Sequence, residues 1–76
     1  METDELQISR NIKACREKKG KTQEDIASIL KITKQTYLNI ENNPTSYSIN
    51  KLNNVAIAIG CNIDEFFLKS DFTKSE

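Results

Sequence analysis

Seventy-six residues at zero formal net charge, 37% of them apolar, suffice for one small domain with a modest core. No apolar run approaches the about 18 residues of a helical membrane span, and with no histidine the two cysteines have no zinc-ligand cluster to join. Neutrality argues at face value against a polyanionic partner, but the charge is uneven: residues 10–51 carry nine basic and four acidic side chains, so the middle is +5 and the two ends together are −5.

The opening METDELQ is acidic and has no apolar stretch. The expectation is no secretory signal, a cytoplasmic chain, and residues 1–5 either frayed or forming the acidic first turn of a helix. Helix one is predicted from Leu6 to Lys19, with Ile8, Ile12 and Cys15 on its inner stripe, Lys18 and Lys19 at its negative end, and Gly20 as its stop. Thr22 should cap helix two, with Asp25 reaching back as in a capping box, and the helix should end near Leu30.

In helix two, Ile26, Ala27 and Leu30 share one stripe; Ile32 sits in the following turn, positioned to plug the gap to the next helix. Ala27 is small where two crossing helices must come close. Thr33 should cap helix three, which begins at Lys34. With Lys34 at 0° and about 100° per residue, Leu38 falls at about 40°, Asn42 at about 80°, Gln35 at about 100° and Asn39 at about 140°. Thr36, Tyr37 and Ile40 fall on the other side, flanked by Glu41. Two short helices joined in this way over 23–42 form a helix-turn-helix, whose second helix is the one presented to a DNA major groove. Lysine can donate to guanine O6 and N7, and glutamine or asparagine can bond adenine in both directions. Residues alone fit an ordinary polar surface stripe equally well.

Residues 42–47 (NNPTSY) read as a loop stopped by Pro44. Ser48 should cap helix four, whose apolar face is Ile49, Leu52, Val55, Ala56 and Ile59, and Gly60 should end it. Asn62 and Glu65 form a capping pair for a short helix five from Ile63 to about Lys69. Ile63, Phe66, Phe67 and Leu68 are more apolar residues than so short a helix can hide. Phe66 is expected to close the core, while Ile63 and Phe67, with Phe72, are a candidate dimer contact. The folded domain is expected over 6–69 and a polar tail over 70–76. Cys15 and Cys61 fall among apolar positions, so buried thiols are expected rather than a disulfide, which a reducing cytoplasm disfavours. With no glycine-rich phosphate loop and no nucleophile beside a base, neither catalysis nor a cofactor is expected.

The ordered set Arg16, Gly20, Thr22-Gln23-Glu24, Ile26-Ala27, Leu30, Ile32-Thr33, Ile40-Glu41-Asn42, Leu52, Val55-Ala56, Ile59-Gly60 and Ile63-Asp64-Glu65-Phe66 resembles the Cro-repressor (Xre-type) helix-turn-helix family. The resemblance runs from about Ile8 to Phe67. It implies an all-α, compact five-helix, lambda-repressor-like DNA-binding domain. It also implies a sequence-specific transcriptional regulator, most simply a repressor, that binds a two-fold symmetric duplex operator as a homodimer.

Lys34, Gln35 and Asn39 match positions that read bases in lambdoid phage repressors, and Leu38 is placed to touch a thymine methyl. Gln23 matches a glutamine that bonds a phosphate beside the free N–H groups of a helix start, although the bare sequence fits a merely exposed residue too. Thr33 and Asn42 are further candidate phosphate contacts, and in a loop without basic residues the Thr45 hydroxyl is a candidate to contact phosphate in their place. Arg16 and Glu41 match a partly buried ion pair that ties helix one to the end of helix three.

Three positions depart from the pattern. Lys31 and Asn43 stand where the family usually has glycine, and Lys21 stands where it usually has an aliphatic residue. The loop after helix three also lacks the basic residues that grip phosphate in relatives. These departures keep a second reading open: a protein-interaction module of the same fold, antitoxin-like, holding a partner protein on its aromatic C-terminal surface.

Overall fold

The computed structural model describes residues 5–68. The acidic residues 1–4, Lys69, the tail 70–76 and Phe72 lie outside the described residues. Four α-helices, α1 (Glu5–Lys18), α2 (Gln23–Leu30), α3 (Lys34–Asn42) and α4 (Ile49–Ile59), are joined by short connections, with no strand among the described residues. Two 3-10 segments, Pro44–Ser46 and Ile63–Phe67, complete the chain.

Each helix after the first begins at a capping side chain. Thr22 Oγ1 accepts the Asp25 N–H at 3.0 Å while Asp25 Oδ2 accepts the Thr22 N–H at 2.9 Å, the reciprocal box expected from the spacing. These backbone and side-chain bonds from Thr22 hold the Asp25 carboxyl below its ordinary pKa. Thr33 caps α3 and Ser48 caps α4 through the N–H groups of Thr36 and Lys51.

Helix ends are equally explicit. At α1, Gly20 is left-handed (φ 70°), with Gly20 N–H donating to Glu17 and Lys21 N–H donating to Arg16. At α2, the same pair of bonds runs from Lys31 to Ser28 and from Ile32 to Ala27. Here the left-handed residue is Lys31 (φ 62°, ψ 42°), so the turn keeps the geometry that glycine would serve and accepts the strain of a side chain. A left-handed residue with a Cβ costs about 1–2 kcal/mol. Lys31→Gly is therefore expected to stabilise the domain by about 1 kcal/mol, a rise in Tm of about 4–8 °C. Lys31→Ala, which loses the charge and keeps the strain, should leave the melting curve near wild type.

The core is a single cluster. Ile8, Ile12 and Cys15 from α1 meet Ile26 and Ala27 from α2, Tyr37 and Ile40 from α3, and Leu52, Val55, Ala56, Ala58 and Ile59 from α4, with Phe66 closing it. Leu30, Ile32, Tyr47, Cys61 and Ile63 pack half-buried against its edge. Lys21 carries its ammonium to the end of α4, where Nζ donates to the Ala58 carbonyl at 3.4 Å. Its stem thus covers the position an aliphatic residue would fill, and its charge meets the negative end of a helix.

The structure refines the sequence expectations at four places. The fifth helix is a five-residue 3-10 segment, although Asn62 and Glu65 do cap it reciprocally; so few residues propagate too little backbone bonding to settle into a longer α-helix. The loop after α3 contains a 3-10 turn over Pro44–Ser46, with Pro44 buried at its first position. Asn43 has φ −133° and is not left-handed, so this junction needs no glycine. Ile49 is 59% exposed and does not join the core; the inner face of α4 takes Ala58 instead. Ile49 lies at the first helical position, where angle around the axis does not ensure that a neighbouring helix reaches far enough to cover it.

Candidate nucleic-acid interface

The second helix of the pair, α3, is fixed from beneath. Tyr37 and Ile40 are buried, at 0% and 1% exposure. Glu41 is completely buried as well, and its carboxylate gathers donors from three helices. Arg16 Nε of α1 donates to Oε2 at 2.7 Å, the Tyr37 hydroxyl of α3 donates to the same oxygen at 2.6 Å, and Gln23 Nε2 of α2 donates to Oε1 at 3.3 Å. Arg16 also donates from Nη1 to the Lys21 carbonyl at 3.0 Å.

Burial opposes the charge of Arg16, but the bond and the charge of Glu41 outweigh it and raise the guanidinium pKa. Burial, and then the bond to Glu41, push the Tyr37 phenol well above its ordinary range, so it stays a neutral donor. Among the described residues, no buried side-chain nitrogen or oxygen is left without a partner. The three helices are thereby fixed in mutual orientation by one anion.

Of this cluster, the sequence reading contains the pair Arg16–Glu41 but not the other two donors. Tyr37 sits four residues before Glu41, one turn away, a spacing that permits contact on a helix face. Gln23 carried no local signal for its bond to Glu41, because the two are 18 positions apart.

The outer face of α3 presents Lys34, Gln35, Asn39 and Asn42, all exposed, with Leu38 half-buried among them. Gln35 Nε2 donates to Asn39 Oδ1 at 3.2 Å, so these two amides lie side by side one turn apart. Lys34 Nζ stands 3.8 Å from Glu24 Oε2, an ion pair between exposed groups that contributes little. Thr36, assigned by angle to the inner side, is exposed: its N–H donates to Thr33 Oγ1, and the Thr33 hydroxyl donates to Thr36 Oγ1 at 2.9 Å. It lies at the margin of the arc, and the cap draws it outward.

The remaining candidate positions lie on other elements. Gln23 opens α2, half-buried, with its amide turned inward to Glu41. The first N–H groups of an α-helix have no partners within the helix, and those of α2 begin at this residue. Thr45 lies in the 3-10 turn after α3, where its hydroxyl donates to Glu5 Oε2 at 2.9 Å. Ile63 is half-buried against the core edge, while Phe67 and Leu68 are 38% and 54% exposed.

No described helix is long and apolar enough to cross a membrane, and no group of metal-ligating side chains occurs among the described residues. No curated protein and no solved structure matches the chain. A family model described as helix-turn-helix matches residues 12–66, most of the chain, covering the Arg16–Glu41 pair, α2, α3 and α4. Capped helices over 23–30 and 34–42, a tight turn between them, and an outward polar face on the second agree with that match: the chain belongs to the Xre/Cro-like helix-turn-helix family, a family of DNA-binding regulators.

Proposed function

We propose that the protein is a sequence-specific transcriptional regulator, acting as a repressor, that binds duplex DNA as a homodimer with α3 in the major groove of each half-site. The observation that carries this reading is the division of α3. Tyr37, Ile40 and Glu41 are locked into the domain, while Lys34, Gln35 and Asn39 stand exposed on one arc. A rigid helix presenting that set matches what base edges offer in the groove.

Lys34 donates to guanine, Gln35 and Asn39 bond adenine, and Leu38 meets a thymine methyl. Gln23 and its neighbouring N–H groups, Thr33, Asn42 and Thr45 contact phosphates. In the free protein Lys34 stands near Glu24 and the Thr45 hydroxyl donates to Glu5, and both exposed contacts are exchanged for DNA on binding. Half-sites lie roughly 34 Å apart, with Phe67, and Ile63 behind it, at the contact between subunits. Such a protein works in the cytoplasm and regulates by occupancy.

Selection of bound duplexes from a random pool at moderate salt tests this directly. A two-fold symmetric site with half-sites about 10 base pairs apart is expected. Folded protein that enriches no sequence would overturn the reading. On the selected site, Lys34→Ala should cost about 1–3 kcal/mol and relax one base position, read by competition with single-base variants.

Exposure of Phe67 and Leu68, in a chain with no net charge and no basic residue between Lys34 and Lys51, favours one second reading. In it the same fold is an antitoxin-like module that holds a partner protein on this surface. Phe67→Ser would then abolish partner binding while Lys34→Ala would leave it intact.

A further inference from the structure

A partly enclosed cavity of about 110 Å³ is lined by residues of both α3 and α4. These two helices scarcely touch: α3 packs mainly on α1 and α2, and α4 mainly on α2 and the C-terminal 3-10 segment. The cavity occupies the gap they leave. Leu30 from the end of α2, Ile32 from the turn and Ile40 from α3 supply its apolar wall. Thr36, Tyr47, Lys51 and Asn54 supply its polar groups.

Those polar groups are mostly uncommitted. Among the described residues, the Tyr47 hydroxyl, the Lys51 ammonium and the Asn54 amide have no hydrogen bond or ion pair. Thr36 Oγ1 accepts the Thr33 hydroxyl, which leaves its own O–H to donate elsewhere. No acidic side chain of the described residues lines the cavity. One cation and several neutral donors beside an aliphatic wall suit an anion with an aliphatic tail. An apolar cavity of roughly 150 Å³ takes up benzene, so by proportion this one has room for a tail of about four carbons.

We infer that the cavity is a binding site for a small aliphatic monocarboxylate. Its tail lies against Leu30, Ile32 and Ile40, and its carboxylate accepts from Lys51 and Tyr47 at the polar side. An amino acid suits the site less well, because its ammonium would find no counter-charge in the lining. The bound acid joins α3 to α4, a connection that the protein's own side chains scarcely make. That this sets the acid against the helix that reads DNA rests on the function proposed above; the binding itself does not.

The test uses the full chain, isotope-labelled for amide spectra, with 3-methylbutanoate as the probe. A Kd of about 1 mM is expected, within the ceiling per heavy atom for so small a ligand. At about 10 mM probe, the Tm should rise by about 5 °C over matched acetate. Saturable amide shifts should concentrate at Ile32, Thr36, Tyr47 and Lys51. Acetate keeps the head without the tail, and 3-methylbutan-1-ol keeps the tail without the charge; each should bind at least about fivefold more weakly. Lys51→Gln, at an exposed position, should keep the fold, weaken the carboxylate about fivefold and leave the alcohol unchanged. Absent or evenly scattered shifts, equal affinity for the alcohol, or undiminished carboxylate binding by Lys51→Gln would each overturn the proposal.

Discussion

Arg16→Ala is expected to lose about 3–5 kcal/mol of stability, most of what a domain of this size has to lose. Glu41 is wholly buried and its carboxylate faces one cation, Arg16, at 2.7 Å. Tyr37 and Gln23 would still donate to it, but neither carries charge, and an uncompensated anion in the interior is the expensive outcome. The Lys21 carbonyl would lose its Nη1 partner as well.

Circular dichroism melting is the measurement. A Tm lowered by 15 °C or more, or no cooperative transition, is expected, and any loss of DNA binding should follow unfolding rather than precede it. Arg16→Lys should fall between, because one ammonium cannot reach both Glu41 and the Lys21 carbonyl with guanidinium geometry. A melting curve for Arg16→Ala that matches wild type would remove Glu41 from its place at the centre of the fold.

Phe66→Ala should cost about 3–5 kcal/mol and Phe67→Ala less than about 0.5. The two phenylalanines are neighbours in sequence with opposite environments: Phe66 is 0% exposed and seals the core, whereas Phe67 is 38% exposed. Truncating Phe66 opens a cavity among residues of α1, α4 and the 3-10 segment, which four short helices have little means to collapse. Urea titration reads the difference as a midpoint shift at constant slope. Equal shifts for the two variants would mean that the C-terminal segment packs in another register.

Legibility of the fold in the sequence followed the range of the interactions. Caps were readable because a cap is a local event: Thr22 with Asp25, and Thr33 and Ser48 with N–H groups three residues on, need only the right side chain at the right spacing. Left-handed stops at Gly20 and Gly60 were readable for the same reason. Lys31 took the left-handed form against its own preference because the turn between α2 and α3 is set by the packing of Ile26, Ile32 and Ile40, which outweighs a penalty of one or two kcal/mol.

What depends on the neighbour's position was less readable. Ile49 shares the apolar stripe of α4 but lies beyond its cover, and Thr36 sits at the edge of an arc that a wheel divides too sharply. At the candidate interface, the outward set Lys34, Gln35 and Asn39 follows from periodicity once Tyr37 and Ile40 are known to be inside. The inward turn of the Gln23 amide toward Glu41 depends on how α2 meets α3, which no spacing in the chain encodes.

Asn11 holds the end of the described chain, its amide Nδ2 donating to the carbonyls of Phe66 at 2.9 Å and Leu68 at 2.7 Å. With both flanking residues pinned to α1, the peptide between them has little freedom to rotate Phe67 inward. More than a third of Phe67 stays exposed to water against its own transfer free energy, a local conflict that the rest of the fold sustains. Any molecule that packs on Phe67 meets a backbone whose ordering entropy was lost when the domain folded, so association there forfeits less freedom and keeps more of the free energy of covering the ring.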